Sequence, residues 1–205
     1  MKLYRGCKEP NLKVMYPRLV NHKRKYVYAT SDIVEAIIYS VKGGNYNYTN
    51  IYGYDDNNKR CLIERKANCL EKIYNQEGRY YILDDTNFKK HEFIGVGDNE
   101  YISSSEVKVK EEITIPNVWE YLKELEKKGI LKIYRYPSRP KTYPKDDSDL
   151  IECAILEYLN INNLEEALIK LEKYHSELKE RINETKKFVK THNIDEIKRS
   201  IKFFK

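Results

Sequence analysis

Between Tyr136 and Lys145, three prolines fall within eight positions and apolar periodicity disappears. Proline fixes φ and withdraws a backbone donor, so this run cannot continue a helix or a central strand. It reads as a linker or an extended strap. On its N-terminal side the chain alternates short β-like runs with turns and a few helices. From about Ser148 onward it is helical with hardly a breaker. The resulting expectation is an α+β domain over residues 1–137, a Pro-rich linker over 138–147, and a helical hairpin or short coiled coil over 148–205. A chain of 205 residues is long enough for one substantial core with such an appendage.

Within the first part, Lys2 to Arg5 and Lys25 to Thr30 predict strands. Ser31-Asp32 then offers an N-cap to a helix beginning at Ile33, with Gly43-Gly44 as its stop. Further strands are expected at Cys61–Glu64, Leu70–Tyr74, Arg79–Leu83 and Asn99–Ser103. The clearest is Glu106–Ile115, where apolar and charged residues alternate strictly. Pro116-Asn117 opens a helix through Lys128 that Gly129 ends, and Ile130–Tyr136 is a last strand. In the second part, a helix over Ser148–Leu159 precedes one long helix reaching Thr191. Its seam of Leu164, Leu168, Leu171, His175, Leu178, Ile182, Thr185 and Val189 steps by three and four. A short basic helix from Ile194 to Phe204 is expected either to dock back or to meet a partner.

The formal charge of +6 is unevenly placed. Residues 1–25 hold eight basic side chains and one acid, Glu9, while Ile130 to Lys145 hold five and none. Such blocks suit phosphates, of a nucleotide or of nucleic acid, or form a solvated face. The four cysteines form no CxxC pair and the four histidines lie near none of them, so no metal is expected. No apolar run approaches a membrane span and no signal-like start is present, which predicts a cytoplasmic protein without membrane partners. The 19 tyrosines are the compositional oddity. Flat rings with hydroxyls can line a ligand pocket, though an AT-rich coding bias also enriches them.

Phosphate-loop, zinc-protease and serine-hydrolase signatures are absent. Three short motifs occur in order instead: Leu3-Tyr-Arg-Gly6 on a first strand, Tyr26-Val-Tyr-Ala-Thr-Ser31 ending a strand before a helix, and Asp98-Asn-Glu-Tyr-Ile102 leading into an alternating strand. Together they resemble the ADP-ribosyltransferase superfamily, in its Arg-Ser-Glu class, over about residues 2–136. The compact rifampin ADP-ribosyltransferase branch is also similar, although it has His where this chain has Arg5. Ala29 stands in place of the first serine of the family's Ser-Thr-Ser motif, and Asp98 in place of a Glu or Gln.

The resemblance implies a split β-sheet core with flanking helices and an NAD-dependent glycosyltransferase, toxin-like in style, that moves ADP-ribose to a protein, nucleic acid or small molecule. NAD would be substrate. Arg5, Gly6, Tyr28 and Thr30 would bind it: the guanidinium on pyrophosphate and ribose, Gly6 admitting the nicotinamide amide, Tyr28 stacking on the ring. Glu100 would stabilise the oxocarbenium ion, Ser31 or Thr30 would orient the carboxylate or ribose, and Asp98 would assist the acceptor. Acceptor choice would rest on the loop from Phe88 to Asn99. The competing reading is a non-catalytic nucleotide- or nucleic-acid-binding protein on a degenerate scaffold, with the basic N-terminal block as its contact. The tail would then serve a structural, partner-binding or homo-oligomerising role.

Overall fold

The computed structural model describes residues 1–19, 24–41, 49–92, 98–162 and 164–202. Gly43-Gly44, most of the loop preceding Asp98, and the terminal Phe203-Phe204 fall outside these. The protein is α+β, with seven α-helices and two sheets among the described residues. The strands are β1 (Leu3–Gly6), β2 (Val14–Met15), β3 (Arg18–Leu19), β4 (Lys25–Thr30), β5 (Asn50–Tyr54), β6 (Arg60–Glu64), β7 (Gly78–Leu83), β8 (Lys89–Lys90), β9 (Glu100–Ser103), β10 (Val107–Ile115) and β11 (Lys132–Tyr134). The helices are α1 (Ile33–Ile38), α2 (Cys69–Tyr74), α3 (Val118–Lys127), α4 (Asp149–Ile161), α5 (Leu164–Tyr174), α6 (Lys179–Thr191) and α7 (Ile194–Ser200).

The larger sheet is antiparallel in the order β2-β10-β7-β1-β4-β9-β8, with β3 beside β4. Its alternation is the one expected: in β10, Val107 and Ile115 are buried while Lys108 and Lys110 face outward. At the centre, β1 follows β7 over four residues but shares a single registered pair with β4, Tyr4 opposite Thr30. The sheet therefore opens where Arg5 and Gly6 would have faced Ala29 and Tyr28. Helix α1 lies against β1 at this point. A Cβ on Gly6 would come within 2.1 Å of the Ala36 carbonyl oxygen, so glycine is what admits the helix. The core between them gathers Val34, Ile37, Ile38, Leu70, Val118 and Leu122.

Three sequence expectations are corrected. Leu70–Tyr74 is the helix α2 rather than a strand, because Leu70 and Tyr74 are buried together at the i, i+4 spacing of one helix face. A strand absent from the sequence reading, β5, pairs with β6, which also takes β11 in parallel to make the second sheet. The long C-terminal helix is broken at His175: α5 ends at Tyr174, a 3-10 turn covers Ser176–Leu178, and α6 restarts at Lys179. The expected seam is nonetheless buried, since Leu168, Leu171, Leu178, Ile182 and Val189 close on one another and on α4 and α7 within the same chain. Ile197 and Ile201 join that core, so the last helix docks back.

The Pro-rich segment is a strap. Asp56 accepts from the backbone N–H groups of Lys141 and Thr142 at 2.9 Å each, and Tyr143 is buried against Ile51, Cys61 and Ile63 of the second sheet. Beyond it, Arg65 is fully buried between Asp147, at 2.5 Å, and Asp149 at the start of α4. Arg139 adds a second cation on Asp147 at 2.6 Å. This network ties the helical tail to the sheet domain. No helix among the described residues is long and apolar enough to cross a membrane.

Candidate functional site

The opening between β1 and β4 is a cleft of about 370 Å³ lined by Tyr4, Arg5, Gly6, Tyr28, Thr30 and Glu100 from the sheet, with Glu35, Ala36 and Tyr39 from α1 and its end. That volume lies within the ~300–1,000 Å³ common for small-molecule sites. Register builds it. Thr30 is opposite Tyr4 on one side and Glu100 on the other, so three adjacent strands deliver the three sequence motifs to one place.

Arg5 spans the gap and donates from Nη1 to the Tyr28 carbonyl at 2.8 Å, which among the described residues is its one hydrogen-bond partner. Burial draws its pKa below the ordinary value, yet a guanidinium remains charged. Two carboxylates line the same cleft. Glu35 accepts from the Thr30 hydroxyl at 2.5 Å and from Asn99 at 3.4 Å. Glu100 meets Nδ1 of His91 at 2.6 Å. Among the described residues neither carboxylate carries an ion pair to lysine or arginine. Burial, with the charge of Glu35 adding to it, raises the Glu100 carboxyl from the ordinary 4.5 to about 7. Tyr28 is pushed up to about 12 by burial first and by Glu100 second.

The candidates named from sequence separate into two groups. Arg5, Gly6, Tyr28, Thr30 and Glu100 all line the cleft. Ser31 does not: it is exposed, and its backbone N–H bonds the Asn99 carbonyl at 2.9 Å. Asp98 is 96% exposed at its side chain and pairs with Lys90 at 3.0 Å, away from the cleft lining. At Gly6 the close approach observed is by α1, and Tyr28 packs its ring edge-on to His91 and Tyr26. Thr30 and Asp32 also serve the local fold. Thr30 Oγ1 accepts from the Asp32 N–H at 3.0 Å, while Asp32 caps α1 and pairs with Arg60 at 2.8 Å.

Sequence reasoning missed Glu35, Tyr39 and His91. Glu35 sits three residues after the cap Asp32, where an acid is expected for helix reasons alone, so nothing marked it as a cleft residue. His91 lies just beyond the two-residue strand β8 with no periodicity to orient it. Elsewhere, Asp147, His175 and Glu177 bring possible metal-ligand atoms within 4.8 Å of one another. There Asp147 already accepts from Arg65 and Arg139, and Glu177 pairs with Lys66 at 3.1 Å, so those carboxylates are occupied by cations of the chain.

No protein-family model, no curated protein and no solved structure matches this chain.

Proposed function

We propose that the cleft between β1 and β4 binds NAD and that the protein is an ADP-ribosyltransferase acting through Glu100. The observation that carries this is the charge lining one cleft: among the described residues, an arginine without a carboxylate partner and two carboxylates without a Lys or Arg partner. NAD has the complementary layout, an anionic pyrophosphate joined through ribose to a cationic nicotinamide ring. Arg5 suits the pyrophosphate because its planar donors engage two oxygens at once. Glu100, ionised beside the ribose, stabilises the positive charge that grows at the anomeric carbon as the glycosidic C–N bond breaks and its electron pair passes to nicotinamide. The acceptor nucleophile then bonds to that carbon and loses its proton. The chain's motif resemblance and the split between β1 and β4 are consistent with this superfamily's fold.

Ala29 and the exposed Asp98 alter the usual assignments. Glu35 is the second carboxylate that reaches the cleft, held by Thr30, and it takes the place expected for Asp98 beside the acceptor.

Nicotinamide release from NAD, measured by chromatography, tests the reading. The wild type should release nicotinamide, and Glu100→Gln should lower the rate by about 100-fold or more, the scale of losing one transition-state electrostatic contact. Equal rates in the two proteins, or no release by either across candidate acceptors, would overturn it.

A further inference from the structure

The family motif that Ala29 interrupts normally supplies a hydroxyl to hold the glutamate, and Thr30 cannot substitute because its hydroxyl is committed to Glu35. A different group occupies that role in space. His91 is 5% exposed and is fixed from two sides: its backbone N–H bonds the Glu100 carbonyl at 3.0 Å, and its ring packs edge-on to Tyr28 at 5.6 Å between centroids. With the ring so fixed, Nδ1 reaches Oε1 of Glu100 at 2.6 Å. We infer that His91 is the positioning residue of this site, its Nδ1–H holding the Glu100 carboxylate in the orientation and charge state that the reaction needs. This deepens the reading above and rests on it for its catalytic consequence. The contact between the two side chains can be tested without NAD.

The tautomer follows from the partner. Above the Glu100 titration near 7 the ionised carboxylate only accepts, so there the imidazole donates from Nδ1. Burial holds the His91 pKa below its usual value, with Arg24 adding to the effect, which keeps the ring neutral near pH 7. The other ionisable groups facing the pair are Glu35 from α1, whose charge opposes ionisation of Glu100, and Tyr28 from β4, with Arg5, Arg24 and Tyr26 near Tyr28. A neutral donor to Glu100 therefore works against burial and against Glu35. It favours the charged form where a stable imidazolium is disfavoured.

The experiment is NMR on the full chain, without NAD. Long-range ¹H–¹⁵N spectra of the wild type report the His91 tautomer, and side-chain ¹³C shifts follow the Glu100 titration in wild type, His91→Leu and His91→Asn. Asparagine can present its amide N–H where Nδ1–H stood. The expected results are the Nδ1–H tautomer, a Glu100 titration about one pH unit higher in His91→Leu, and one near wild type in His91→Asn. In nicotinamide release, His91→Leu should lower kcat more than it raises KM and shift the acid limb of the profile upward by the same amount, with His91→Asn restoring both. The Nε2–H tautomer in the wild type at a pH where Glu100 is ionised, or a Glu100 titration that His91→Leu leaves in place, overturns the proposal. If the titration moves as expected while NAD is not cleaved, the His91–Glu100 contact stands and the transferase reading is what fails.

Discussion

Two regions of this molecule bury charged side chains, and they do so in opposite ways. At the junction with the helical tail, Arg65 sits between Asp147 and Asp149 with Arg139 alongside, so each buried carboxylate faces a guanidinium of the chain, although Arg65 Nε finds no partner among the described residues. In the cleft between β1 and β4, among the described residues, the Arg5 side chain has only a carbonyl, and Glu35 and Glu100 have only neutral donors. The first arrangement pairs buried cations with buried anions inside the chain. The second keeps opposite charges apart in one cleft, which a folded protein has no reason to do for stability alone. That contrast separates a structural ion network from a candidate site. It also explains why the cleft at the tail, though lined by Arg65, Lys66, Arg139, Lys145 and Arg181, is a weaker candidate. Of these cations Arg65, Lys66, Arg139 and Arg181 already have carboxylate partners in the chain.

The contrast predicts different responses to substitution. The largest effect on stability is expected at the junction: Arg65→Met strands the buried Asp149 and leaves Asp147 to Arg139 alone, and should cost about 3–5 kcal/mol in denaturant unfolding. A loss below about 1 kcal/mol would mean that the network is not closed as described. In the cleft the sign reverses. Glu100 has a folded pKa of about 7 against an ordinary 4.5, so the native state binds more protons than the unfolded state between those values and stability falls as pH rises through that window. Glu100→Gln removes this penalty. The variant should match the wild type near pH 4 and be more stable at pH 8 by on the order of 1–2 kcal/mol. Thermal unfolding at the two pH values measures it, and destabilisation at pH 8 would mean that Glu100 is satisfied in the chain as the junction acids are. The smallest effect is expected for Thr30→Val. It loses the donor to Glu35 and the acceptor for Asp32, worth about 1 kcal/mol, with the change appearing mainly in unfolding rate or midpoint.

Much of this arrangement was legible from sequence, and the limits have physical causes. Alternation located β10 because that strand has one buried face, and Asp32 and Asn117 marked helix starts because both side chains cap the helices that follow them. Arg5, Thr30 and Glu100 could be named as candidates because they sit inside ordered strand motifs, and all three line the cleft. Strand β5 was hidden because its fit depends on distant residues: Gly53 lies under Tyr143 of the strap, where a Cβ would meet the tyrosine hydroxyl at 2.2 Å. The seam of the tail was legible in its period but not in its break, because the reading ran one helix through His175. Those residues are buried, but the break at His175 folds the helix back on itself. Glu35 and His91 carried no local signal, since both acquire their place in the site only when β4, α1 and β9 come together.

Binding of NAD is the most direct test of the contrast between a closed ion network and an open one. Saturation-transfer NMR with NAD should give a signal from the nicotinamide and ribose protons on the wild type, a signal at least about tenfold weaker on Arg5→Gln at equal concentrations, and wild-type unfolding to within about 1 kcal/mol in that variant. No transfer from NAD at millimolar concentration, or transfer that Arg5→Gln leaves unchanged, would contradict the assignment of this cleft.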